Sequence, residues 1–169
     1  MWNDTDFPLA YLITFRCYGT WLHGDARGSI DRFHHQYKSP YLPRSDRRVE
    51  VAQRLLKSRP ELLDAMQRKI VEEAIREVCA YGGWYLHAVS VRTTHVHSVA
   101  SIGTVAPARA LNAFKAYATR LMRQRNCWKH QHSPWADRGS KRYLWNERSV
   151  ALAVDYVLNG QGDELPEFE

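Results

Sequence analysis

Two hydrophobic periods alternate along this chain. Residues 9–18 (LAYLITFRCY) form a β-branched and aromatic run too short for a helix, which predicts a strand. Residues 22–48 are polar and broken by Gly24, Gly28, Pro40 and Pro43, which predicts a long irregular loop or insertion over about 22–60 with a short helix near 47–57. Beyond Pro60, read as a first-turn proline, Leu62, Leu63, Met66, Ile70, Ala74, Ile75 and Val78 recur at three- and four-residue steps, and Gly82-Gly83 ends that helix. Residues 84–91 (WYLHAVSV) and 95–102 (HVHSVASI) read as strands joined by Arg92-Thr93-Thr94, a hairpin.

Pro107 opens a helix to about residue 124, with Leu111, Phe114, Ala118 and Leu121 as its apolar stripe. Arg109, Arg120 and Arg123 fall on its other face. Residues 135–145 read as a hairpin turning at Gly139-Ser140. Asn146 is a plausible N-cap for a last helix, with Val150, Val154, Val157 and Leu158 on its buried stripe and Gly160 at its end. Strand, helix, strand, strand, helix, strand, helix is an α+β order: one antiparallel sheet with helices packed on it. The chain of 169 residues is read as a single domain, 1–169, without repeats.

Composition narrows the partner. Twenty-four Lys and Arg against 18 Asp and Glu leave a charge of +6, which favours a polyanion without identifying one. Six Trp and nine Tyr suit either a dense core or stacking on bases. Three cysteines without a CxxC pair argue against a disulfide framework or a cysteine zinc site, and a reducing, cytoplasmic setting fits best. The N-terminus lacks the charged and apolar regions of a secretory signal. No stretch approaches the roughly eighteen apolar residues of a membrane span, so no membrane partner is expected.

His95-Val96-His97 carries the candidate chemistry. Two histidines separated by one strand residue point to the same face, where their imidazoles can converge on a cation. Spacing alone does not decide this, because two half-exposed strand histidines read the same way. A second such pair, His130-Gln131-His132, lies in a polar loop where no strand holds its side chains parallel, and reads as solvated or as a phosphate contact. Tyr156 sits about 130° from the centre of the last helix's stripe, where it is either an exposed tyrosine or one aimed at a neighbouring site. A phenolic oxygen is a legitimate covalent nucleophile. Trp21, His23 and Asp25, just after the first strand, could line a site or pin the loop.

These residues resemble a known family. YLITFRCYGTWLHG at the start, HVH on a central strand, LNAFKAYATRLM in the following helix, and RYLWNE with AVDYVLNGQG at the end are similar, in this order, to the single-tyrosine transposases of the HUH endonuclease superfamily. The branch is that of the IS200-like and REP-associated tyrosine transposases. The resemblance implies a ferredoxin/RRM-like antiparallel sheet, a divalent cation (Mg²⁺ or Mn²⁺) on His95 and His97, and Tyr156 as nucleophile. It implies cleavage and joining of single-stranded DNA beside hairpins or palindromic ends, through a 5′-phosphotyrosine intermediate. Family members carry a third ligand, Gln or Asn, one turn after the tyrosine. Here Gly160 stands there, flanked by Asn159 and Gln161, either of which could substitute. Arg109, Lys115, Arg120, Arg123, Lys141 and Arg142 are candidate DNA contacts, or a solvated charged face. The family contains exchanged-helix dimers and monomers, so a homodimer stays open. A hairpin-binding protein without catalysis is the alternative that Gly160 suggests. A histidine metalloenzyme acting on small molecules would need ligands not plainly offered.

Overall fold

A computed structural model describes residues 6–20, 45–56 and 59–161. Trp21, His23, Asp25 and most of the expected loop lie outside them. The elements are β1 (Ala10–Arg16), α1 (Asp46–Arg54), α2 (Ala65–Gly82), β2 (Tyr85–Val91), β3 (His95–Ser101), α3 (Pro107–Gln124), β4 (Ser140–Leu144) and α4 (Glu147–Asn159). The strands form one antiparallel sheet in the order β2-β3-β1-β4. α1 falls inside the region expected to be mainly loop, close to the short helix read there.

Strand alternation makes three layers from this sheet. Tyr11, Ile13, Phe15, Val89, Val96 and Ala100 point to one face and close a core with Ile70, Ile75 and Val78 of α2 and Leu111, Phe114 and Met122 of α3. Ala10, Ala88, Val99 and Leu144 point to the other face and pack against Ala153 and Val157 of α4. β1 and β3 are central, so each has a helical layer on both faces.

Local chemistry sets the helix ends, and it corrects two expectations. α2 does not begin at Pro60. Asp64 is its N-cap, accepting from Gln67 N at 2.8 Å while Gln67 Oε1 accepts from Asp64 N at 3.0 Å, a reciprocal cap that a proline four residues earlier cannot match. Residues 60–63 run instead beside the end of β1 and the β2–β3 turn, where Glu61 N donates to Tyr18 O and Leu63 N to Thr93 O. Leu62 and Met66 are therefore exposed and Leu63 is buried. In α4, Leu158 is exposed and Ala153 holds the buried position. Gly83, in the left-handed conformation, closes α2, and Asn146 caps α4 through Ser149 N.

The expected hairpin over 135–145 does not form. β4 pairs with β1, Ser140 opposite Thr14 and Leu144 opposite Ala10, and Trp135 bridges to Cys17 just past the end of β1. Both halves of the segment thus use β1 or its immediate continuation as partner rather than each other. The intervening residues pass so close that a Cβ on Gly139 would lie 2.6 Å from Thr14 O. Lys115 Nζ holds this excursion by donating to Ala136 O at 2.8 Å and to Arg138 O.

Phe114 is fully buried, 6.2 Å edge-on from Trp84, at the centre of the larger core. Phe114→Ala is expected to destabilise the protein by about 3 to 5 kcal/mol; a urea titration that moves by less than about 1 kcal/mol would show that this core can collapse around the cavity.

Candidate active site

The site forms where the α4 face of the sheet runs past the hydrophobic layer. His97 lies opposite Thr14 and His95 opposite Arg16 in the β1–β3 register. Being two residues apart on one strand, the histidines share a face, and their ring centroids are 4.7 Å apart. His97 is buried, at 5% exposure, whereas His95 is half-buried. Burial is the main cause that lowers the His97 pKa to about 4, with smaller contributions from the charges of His95 and Arg16. His97 is thus a neutral imidazole near pH 7, the form that acts as a metal ligand. Its Nδ1 lies 2.7 Å from Thr14 Oγ1, and His95 Nδ1 lies 2.9 Å from Thr94 Oγ1.

α4 brings the tyrosine in. Val157 is fully buried against the sheet while its neighbour Tyr156 remains 46% exposed. That rotation sets the phenol ring edge-on to His97, centroids 5.3 Å apart. The stripe of α4 therefore positions Tyr156 indirectly: burying Val157 and Ala153 forces position 156 toward the histidines.

The end of α4 accounts for Gly160. Its N–H donates to Tyr156 O at 2.9 Å. A Cβ there would lie 2.7 Å from that carbonyl oxygen and 3.1 Å from Tyr156 Cδ2, so an amide side chain does not fit at position 160 in this backbone. The next residue supplies one. Gln161 Nε2 donates to Tyr156 O at 3.0 Å, and its Oε1 faces His95 Nε2 at 3.3 Å. Asn159 is turned away, donating to Asp155 Oδ1 at 2.8 Å.

A cleft of about 690 Å³ adjoins this group, lined among others by Thr14, Arg16, His97, Arg142, Ser149 and Tyr156. Its size suits a ligand rather than a single ion. The six basic residues expected to meet DNA separate in space. Arg142 lines the cleft. Lys141, opposite Ile13, is on the α3 side of the sheet, and its charge helps lower the pKa of Lys115 after burial, the larger cause. Lys115 tethers the loop before β4, and Arg123 donates to His130 O and Gln131 O at 3.2 and 2.7 Å. Arg109 and Arg120 are exposed on α3, with the Arg120 guanidinium 4.4 Å above the Tyr117 ring.

The second histidine pair also differs from expectation. His130 and His132 are exposed, but their rings stack 5.0 Å apart at 28°, against Trp128. Arg123 pins their backbone, which the polar sequence of the loop did not suggest. Sequence reasoning likewise missed Arg16 and Thr14, because only strand pairing brings them to His97. Among the described residues, no third His, Cys, Asp or Glu gathers with either pair into a metal-holding group. At the first pair the available donors are two imidazoles and the Gln161 amide oxygen, a nitrogen-rich set that suits a transition-metal ion better than strictly oxygen-seeking Mg²⁺.

Residues 54–157 match the family model described as transposase, IS200-like. The chain belongs to the IS200-like transposase family. Enzymes of this family cleave and rejoin DNA, and His95, His97 and Tyr156 all fall within the matched residues. Among solved structures, this transposase is similar to a REP-associated tyrosine transposase bound to a REP hairpin, at 12% identity and a TM-score of 0.50, covering 93% of this chain and 70% of that one. At that identity the likeness establishes the fold. It is also similar to a Deinococcus radiodurans protein described as a transposase, at 14% identity, TM-score 0.47, covering 96% and 98% of the two chains. Among curated proteins, no sequence matches. Among the described residues no helix is long and apolar enough to cross a membrane.

Gly160→Ala must displace either the Tyr156 carbonyl or the helix end. It is expected to destabilise by about 1 to 3 kcal/mol in chemical denaturation. An unchanged unfolding midpoint would mean that the end of α4 reseats without strain.

Proposed function

We propose that this chain is a divalent-metal-dependent, single-tyrosine strand transferase acting on single-stranded DNA beside hairpin ends. The observation that carries this reading is the approach of the Tyr156 phenol to His97 with the Gln161 amide at His95. Tyr156 and His97 line a cleft that also carries Arg16 and Arg142, and His95 and Gln161 lie beside His97. The hairpin partner is taken from the relative solved with a REP hairpin and from the basic character of the chain.

His95, His97 and Gln161 would hold the cation. Bound there, Mn²⁺ or Mg²⁺ supplies a positive charge that polarises a non-bridging phosphate oxygen. Arg142 and Arg16, both lining the cleft, would hold the sugar-phosphate backbone there. Tyr156 Oη attacks the phosphorus, the bond from phosphorus to the 3′-oxygen breaks, and the phenolic proton ends on that leaving oxygen. A 5′-phosphotyrosine and a free 3′-hydroxyl result. Attack by another 3′-hydroxyl reverses the step and joins strands without an external energy source.

The position of Gln161 favours this reading over a hairpin-binding protein without catalysis, whose support was the missing amide at position 160. Arg109 and Arg120, on the α3 face, are retained as contacts to duplex phosphates away from the cleavage point. Lys115, Lys141 and Arg123 are better explained by the loop and strand they adjoin.

The wild-type chain with Mn²⁺ and a 3′-labelled hairpin oligonucleotide should yield a covalent adduct that migrates with the protein in denaturing gels, and Tyr156→Phe should yield none. An adduct that persists in the variant moves the nucleophile elsewhere, and none from the wild type across a broad hairpin set favours the binding-only reading. Arg142→Ala should weaken DNA binding and reduce the slope of log affinity against log salt by about one; an unchanged slope removes Arg142 from the DNA path.

A further inference from the structure

We propose that Thr14 is a positioning residue for His97: its hydroxyl oxygen accepts the Nδ1–H of the imidazole, which fixes the ring and leaves the Nε2 lone pair to face the cation. The inference rests on reading His97 as a metal ligand. A neutral imidazole carries one proton on one of two nitrogens, and only the unprotonated nitrogen can bind a cation. Ligating histidines usually donate their other ring N–H to a fixed acceptor. Thr14 is that acceptor here, with Oγ1 2.7 Å from Nδ1.

The contact follows from strand register. Thr14 is the residue directly opposite His97, and facing cross-strand residues project to the same side of the sheet. A one-residue slip would present Ile13 or Phe15, neither with an acceptor, and would turn the pair to the opposite face. His97 is 5% exposed, so water is poorly placed to replace the hydroxyl. A threonine also adds no negative charge, unlike a carboxylate in the same place, next to a cleft where a phosphate has to approach.

His95 offers an internal contrast. Thr94 Oγ1 is 2.9 Å from its Nδ1, but its Nε2 already faces Gln161 Oε1 at 3.3 Å. That amide oxygen only accepts, so the tautomer that satisfies this contact has its proton on Nε2, with Thr94 as donor to Nδ1. The two threonines make similar contacts with opposite polarity, and only Thr14 sets the tautomer that a ligand needs beforehand.

The test uses the full chain freed of metal. Nitrogen-15 NMR of the wild type should show the Nδ1–H tautomer at His97; the Nε2–H tautomer overturns the proposal without any variant. Mn²⁺ titration followed by electron paramagnetic resonance should show Thr14→Val weakened by about 10- to 100-fold, Thr14→Ser restored to near wild type, and Thr94→Val affected less than Thr14→Val. Wild-type Mn²⁺ affinity in Thr14→Val, with loss in His97→Ala, overturns the role of Thr14 and leaves the metal reading intact. Wild-type affinity in both His95→Ala and His97→Ala overturns the metal reading itself.

Discussion

The antiparallel pairing of β1 with β3 is the constraint on which the site depends. It sets Thr14 opposite His97 and Arg16 opposite His95, and it turns both histidines toward α4. Because side chains alternate with a period of two, a slip by one residue would bury the histidines among the α2 and α3 core and carry Val96 to the cleft. The apolar residues on the far face resist that slip. Ile13, Phe15, Val96 and Ala100 are all buried there, and exposing any of them forfeits roughly 1.5 to 3 kcal/mol for a large side chain. The hydrophobic core therefore holds the register, and the register holds the polar geometry.

α4 completes the arrangement by a similar division of labour. Ala153 and Val157 seat the helix on the smaller core, and this seating determines where Tyr156 points. The carbonyl of Tyr156 then takes two donors, Gly160 N and Gln161 Nε2. Those bonds exclude a side chain at position 160 and orient the amide at position 161. In the proposed reading, the amide that family members carry one turn after the tyrosine is supplied one residue later, at a helix end that leaves the α-helical path.

Electrostatics divides the molecule by layer. The cleft side carries Arg16 and Arg142, and the α3 side carries Arg109 and Arg120. Lys115 and Arg123 lie in that second layer, with their charged heads on backbone carbonyls. A basic residue on a helix face reads the same in sequence whether it meets solvent, a carbonyl or a phosphate. Only the folded loop between α3 and β4 separates these cases.

The sequence by itself determined the element types, the bounds of α3, the cap at Asn146, the α+β order and the shared face of the two strand histidines. These depend on periodicity, turn residues and spacing, all local properties of the chain. Tertiary structure decided the rest. β4 joined β1 rather than folding on residues 135–139, since a central strand offers an edge that a short hairpin cannot match. The reciprocal cap of Asp64 and Gln67 displaced Pro60 as the start of α2. Gln161, not Asn159, reached His95, because Gly160 ends the helix and Asn159 finds Asp155 one turn back. Thr14 met His97 across 83 residues of chain, a distance over which no local pattern carries information and only strand register does.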